Sequence, residues 1–240
     1  MLLDVPPLGR KVTAELVGTA ILVAGVIGSG IAAQRLTPSD VGLQLLENTA
    51  ATVGVLIALI LALGSVSGAH FNPVVTLVDR VLGGLTTVEA GAYIGAQLVG
   101  GALGAVVANV MFGEPVVELS RHHRVSGPHI FAEVVATFGL LLVIFGVVRS
   151  GRATAAPFAV GAYIAGAYWF TSSTSFANPA VTIGRTLSDT FAGIAPASAP
   201  GFIAAQFVGG ALALVAILVL YPSVGAVADQ VLLPHEQESA

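Results

Sequence analysis

Long apolar stretches dominate this chain and decide what it can fold into. Segments of roughly 20 apolar residues cross a bilayer as helices, and six stretches lie at about 12–33, 43–64, 87–112, 129–149, 156–171 and 200–221. The remaining residues cannot clothe a water-facing surface. Only 9% of the chain is charged and its mean hydropathy is +0.92, whereas a soluble domain carries roughly 25% charged residues. The chain therefore reads as an all-α, multi-pass membrane protein; a barrel would show shorter alternating segments. The formal charge of -4 offers no basic surface for nucleic acid, and part of the acid lies in the tail 229–240. With no cysteine, disulfides and thiolate metal sites are excluded. The first apolar run is too long for a signal-peptide core and is followed by more spans, so it is read as a retained helix.

The connectors hold the breakers and charges: QRLTPSD, FGEPVVELSRHHRVSGPH, RSGRATAAP and AGIAPASAP. Two further apolar pieces, about 72–83 and 178–190, are too short to span, and each opens with Asn-Pro. Three landmarks then recur in the same order. AELVGT (14–19) is answered by AEVVAT (132–137), NPVVT (72–76) by NPAVT (178–182), and AQLVGGAL (96–103) by AQFVGGAL (205–212). The chain is thus one channel-sized domain, 1–240, made of two copies at about 10–112 and 129–221. Each copy has three spans plus a short helix. Three is odd, so the second copy enters the membrane from the opposite side. In such inverted repeats, paired interrupted segments mark the permeation site.

Asn is a favoured N-cap because its side chain accepts from an orphan backbone N–H, and Pro suits the first helical position. Asn72-Pro73 and Asn178-Pro179 therefore predict two half-helices that meet tip to tip near the midplane. Irregular backbone is tolerated at that depth only where protein buries it or water lines it. SVSGAH and TSSTSFA are thus expected to present carbonyls to a wet path. Each helix N-terminus carries about half a positive charge, so two such ends aimed at one point repel cations and hydronium. The Asn amides still donate to a passing oxygen, which selects a neutral, hydrogen-bonding traveller.

SGAHFNPVVT and FANPAVT resemble the two Asn-Pro-Ala boxes of the aquaporin family, and the resemblance covers nearly the whole chain. It implies six tilted helices, two re-entrant half-helices, one pore per protomer, a homotetramer and cytoplasmic termini. Lys and Arg give little independent support for that orientation. Five (Arg10, Lys11, Arg80, Arg149, Arg152) would lie inside and four outside, too near a tie to set it. The resemblance assigns Asn72 and Asn178 as donors at the pore midpoint, with Pro73, Val74, Pro179 and Ala180 completing the boxes. Val74 stands where Ala is usual and is expected to pack at the contact between half-helices.

The family usually has Arg three residues after the second Asn, where this chain has Val181. The other constriction positions map to Thr52 and Ser175. On the fifth span, counting back from Asn178 gives Gly166 and counting forward from Pro157 gives Tyr168. The resemblance thus implies an uncharged constriction, wider than in a water-selective member. Arg185, one helical turn beyond Val181, is read as snorkelling or facing phosphate, with a pore role as the alternative. Its counterpart in the first copy is Asp79.

Glu15 and Glu133 occupy matching positions within predicted spans. Intramembrane acids are functional candidates by default, and a proton relay through them would make a coupled secondary transporter. The resemblance implies instead that each carboxylate accepts from backbone N–H groups and holds a pore loop, a region to which His70 also belongs. His122, His123 and His129 read as solvated loop histidines rather than a metal site. Gly100, Gly101, Gly209 and Gly210 fit close helix packing. No nucleophile–base pair, metal motif or cofactor loop points to an enzyme. The reading is a passive channel in a lipid bilayer, placed in a bacterial inner membrane. Its cargo would be water and small uncharged solutes such as glycerol-like polyols, urea or undissociated arsenous acid. FANPAVTIGR resembles the form found in bacterial members associated with arsenical efflux.

Overall fold

The computed structural model describes residues 6–221, so the acidic tail 229–240 lies outside it. Among the described residues there are eight α-helices, one 3₁₀ turn and no strand: α1 (Leu8–Leu36), α2 (Val41–Ser67), α3 (Pro73–Leu82), α4 (Thr87–Phe112), α5 (Gly127–Arg149), the turn Ala153–Ala155, α6 (Ala156–Phe170), α7 (Pro179–Arg185) and α8 (Ala199–Leu220). Five of them, α1, α2, α4, α5 and α8, are long and apolar enough to cross a membrane. The sixth span, α6, has only 15 residues.

Local chemistry explains the boundaries. Asp40 caps α2 by accepting from Leu43 N, Thr86 and Glu89 form a capping box on α4, and Ser126 caps α5 by accepting from His129 N. Each such bond satisfies a donor that the first helical turn leaves orphaned. The two short helices, α3 and α7, both open on Asn as N-cap and Pro in the first turn. The first runs nearly as predicted. The second stops at Arg185 instead of continuing to about 190. Leu187 N turns back to Gly184 O, and the side chain of Arg185 reaches Ala192 O, so the chain folds over the helix end.

Packing follows the repeat. In the first copy α1 pairs with α4, and in the second α5 pairs with α8. Both pairs close on a glycine. A Cβ at Gly100 would strike Leu16 O of α1, and one at Gly209 would lie 2.5 Å from Val134 O of α5. Their neighbours admit the half-helices crosswise. A Cβ at Gly101 would lie 2.6 Å from Ala180 O of α7, and one at Gly210 would overlap Val74 of α3. Val74 therefore packs against α8, where Gly210 leaves room for its side chain. Large apolar side chains such as Val88, Phe131, Phe158 and Val219 face outward, as a lipid-facing surface requires.

Because Gly209 leaves no room for a methyl group, Gly209→Ala should lower the thermal unfolding midpoint in detergent by the equivalent of about 1–3 kcal/mol of overpacking. Gly91, with nothing within 4 Å of an added Cβ, is the control; equal midpoints for both variants would contradict the packing account.

Candidate functional site

The half-helix tips meet through their own asparagines. Asn72 Oδ1 accepts from Val74 N at 3.0 Å, and Asn72 Nδ2 donates to Ala177 O at 2.8 Å. Asn178 mirrors this: Oδ1 accepts from Ala180 N (3.0 Å) and Val181 N (3.3 Å), and Nδ2 donates to Phe71 O at 2.7 Å. A side-chain amide has two N–H donors. One on each Asn ties the tips together, and both residues line a common cavity. The second donor on each is left for whatever occupies that space. Pro73, Pro179, Val74 and Ala180 are buried behind the tips.

The segments entering the half-helices are held in an unusual backbone. Ala69 and Phe71 precede α3 at φ 50° and 49°, while Thr174, Ser175 and Ala177 precede α7 at φ 62°, 52° and 49°. A left-handed conformation costs an L-residue with a Cβ about 1–3 kcal/mol, so something must impose it. Two buried carboxylates do. Glu15 accepts from Ser67 Oγ (2.7 Å), His70 N (2.9 Å), Phe71 N (2.7 Å) and Gln97 Nε2 (2.8 Å). Glu133 accepts from Ser173 Oγ (2.6 Å), Phe176 N (2.9 Å), Ala177 N (2.9 Å) and Gln206 Nε2 (2.7 Å). In a planar trans peptide the C=O points opposite to the N–H. Turning the His70 and Phe71 amides toward Glu15 therefore turns the carbonyls of Ala69 and His70 away from it. The same holds for Ser175 and Phe176 with Glu133, and all four residues line the cavity. This is the carbonyl path expected from SVSGAH and TSSTSFA.

Sequence reasoning missed the second half of each clamp. Gln97 Nε2 also donates to Thr76 Oγ1 (2.9 Å), which donates to Asn72 O (3.0 Å). Gln206 Nε2 does the same to Thr182 Oγ1 (2.9 Å), which donates to Asn178 O (2.8 Å). All four residues recur at matching places in the two copies, the signal that could have found them. His70 lines the cavity, with Nδ1 3.1 Å from Thr76 Oγ1 and Nε2 3.8 Å from Asp79.

The cavity leaves about 70 Å³ for the centres of water-sized molecules, a narrow file at the roughly 10–15 Å³ that one water needs by that measure. The long helices give it a mostly apolar wall (Leu22, Leu56, Leu140, Val160, Ile164), and the half-helix segments add the polar groups of His70, Asn72, Ser175, Asn178 and Arg185 among further apolar ones. Thr52, Ser175 and Val181 line it together, as does Tyr168, whose Oη donates to Thr52 Oγ1 at 3.3 Å. Gly166 is exposed on the outside of α6 and is not among the lining residues. The backward count from Asn178 misleads because the left-handed connector does not advance like a helix. Arg185 also lines the cavity, only 4% exposed. It neither snorkels nor faces a phosphate layer, and the lining is not uncharged. Glu15 and Glu133 are fully buried and are not cavity-lining. No group of three or more His, Cys, Asp or Glu side chains is placed to hold a metal among the described residues. His122 sits 3.8 Å from Asp189, and His129 Nδ1 pairs with Ser126.

Four donors on one carboxylate leave no place for an amide NH₂. Glu133→Gln should therefore cost about 2 kcal/mol or more and lower the detergent unfolding midpoint together with water flux. A variant as stable as wild type that loses only proton-gradient-driven solute uptake would restore the relay reading.

Residues 3–175 match the family described as major intrinsic protein. The chain is 46% identical over 207 residues to aquaglyceroporin AqpS of Rhizobium meliloti, covering 86% of this chain and 88% of that one. It is 32% identical over 169 residues to aquaporin NIP1-1 of Zea mays, covering 66% of this chain and 56% of the relative. The fold is similar to the X-ray structure of the aquaglyceroporin from Plasmodium falciparum, with a TM-score of 0.70 at 21% identity, covering 92% of this chain and all of that one.

Proposed function

From the premise that the chain belongs to the major intrinsic protein family, whose members are passive membrane channels and not enzymes, we propose that its pore carries small neutral polyhydroxy solutes as well as water. The observation that carries this reading is the two-sided cavity. Two Asn amides and a run of carbonyls offer hydrogen bonds along one side, and aliphatic side chains face them. A polyol, with hydroxyls on one edge and C–H on the other, satisfies both sides at once, and water needs only the polar one. Val181 supports the size limit, since an isopropyl group occupies less of the lumen than the family's usual Arg. Glycerol-like polyols, urea and undissociated arsenous acid, a compact neutral trihydroxy molecule, fit these requirements.

Within this reading Thr52, Tyr168, Ser175 and Val181 set the constriction. Asn72 and Asn178 donate at the midpoint, while Glu15, Glu133 and His70 hold the pore loops. The two copies act as one channel domain per protomer. The outward-facing apolar surface supports placement in a lipid bilayer, and the family resemblance adds a homotetramer in a bacterial inner membrane with both termini cytoplasmic. The proton-coupled alternative loses ground because neither Glu15 nor Glu133 reaches the cavity and each already accepts four hydrogen bonds.

Stopped-flow light scattering on proteoliposomes, with water, glycerol, urea and arsenous acid as osmolytes, tests the proposal. Equilibration without accumulation is expected in the presence or absence of a pH gradient; gradient-driven accumulation would refute a channel. Val181→Arg should reduce glycerol flux more than water flux, and equal reductions would show that Val181 does not set the size limit.

A further inference from the structure

Arg185 ends α7 as a buried cation without a direct ion pair, the Glu133 carboxylate acting on it only from a distance. Among the described residues no carboxylate lies within ion-pair distance of it. Its guanidinium is fixed on two sides. Nε donates to Ala192 O, and Cζ stacks 3.4 Å from the centre of the Phe176 ring. A second guanidinium, Arg124, lies 5.7 Å from the same ring, but its Nε and Nη2 are taken by Gly193 O (2.7 Å) and Phe191 O (2.9 Å) and it is not a lining residue. Arg124 thus fastens the loop that supplies Ala192, while Arg185 itself faces the cavity. The terminal nitrogens of Arg185 have no protein acceptor among the described residues, so they are presented to the lumen.

We propose that Arg185 is the charge-selecting residue of this pore, and that size selection has been separated from it onto Val181. The inference rests on the channel reading above. An Arg at 181 would obstruct the lumen and repel cations with one side chain. Set one turn further along α7, away from the half-helix tip, and stacked against Phe176, the same charge leaves the opening at Val181 wide. Its field adds to that of the two half-helix N-termini, all three opposing hydronium and metal cations. A stacked planar guanidinium holds such a position better than a flexible ammonium would.

The test uses the full chain in proteoliposomes. Water and glycerol flux are measured by light scattering, and proton flux with an entrapped pH dye under a potassium diffusion potential. Arg185→Gln should raise proton flux about tenfold, the change expected from losing about 1.4 kcal/mol of barrier, with the glycerol-to-water ratio unchanged. Arg185→Lys should remain proton-tight. Val181→Arg with Arg185→Gln should regain tightness at the expense of glycerol flux. Because the chain has no cysteine, Arg185→Cys separates charge from folding. An aminoethyl methanethiosulfonate adduct restores a cation in the inserted protein, and a methyl adduct does not. The first should be tight and the second leaky; equal leak from the two adducts overturns the proposal. So does a water-conducting Arg185→Gln channel as proton-tight as wild type, or a leaky Arg185→Lys channel with normal water flux. Wild-type vesicles that pass neither water nor glycerol would instead remove the channel reading beneath it.

Discussion

Two carboxylates buried between helices hold the rest of the structure in place. Glu15 and Glu133 hold the amides of His70, Phe71, Phe176 and Ala177, within the stretches where Ala69, Phe71, Thr174, Ser175 and Ala177 take left-handed backbone. Without that backbone the carbonyls would not turn to the cavity and the asparagines would not face one another. A charge at membrane depth is costly when unpaired. Here four hydrogen bonds per carboxylate replace its hydration, so the cost of burial is converted into loop geometry. The Gln–Thr links then extend each clamp to the carbonyl at the Asn N-cap. Loop, half-helix and the last helix of each copy are one hydrogen-bonded unit.

Much of this was legible in the residues. The apolar runs mark the spans, and the recurrence of AELVGT, NPVVT and AQLVGGAL marks the two copies, because each landmark sits where helices or loops must touch. Asn-Pro marks both half-helix tips because capping chemistry is local. Features that depend on distant partners were harder to read. The end of α7 is set by a turn onto Leu187 and Ala192, invisible to an apolar count that ran on to 190. Tyr168 could not be told from Gly166, since residues 171–178 follow no helical register. Arg185 looked like a snorkelling cation because its platform, Phe176, lies nine positions earlier and is brought beneath it only by the fold. The seat of Val74 against Gly210 of α8 is another contact between distant segments that no local pattern announces.

The two half-helices match in capping and in their clamps, yet they differ where they face the conduit's two ends. Seven residues after each Asn, one carries Asp79 beside His70 and the other Arg185 on Phe176. A molecule crossing this pore meets the same hydrogen-bonding chemistry at the midpoint from either direction. Of the two charged groups, Arg185 lines the cavity and Asp79 does not. Duplication accounts for the shared frame, and divergence at this one position for a cavity charged on one side only.

The crosswise docking of the half-helices also bears on how the protein is made. Asn72 finds its carbonyl partner at Ala177, 105 residues later, and Val74 finds its seat at Gly210, in the final helix. A growing chain can insert its first three spans and clamp α3 through Glu15 and Gln97, but the tip lacks its partners at Ala177 and Gly210 until the second copy through α8 has been synthesised. The pore is therefore completed only once α8 is in place. Until then each emerging half has an unsatisfied amide and an empty groove where the other half belongs.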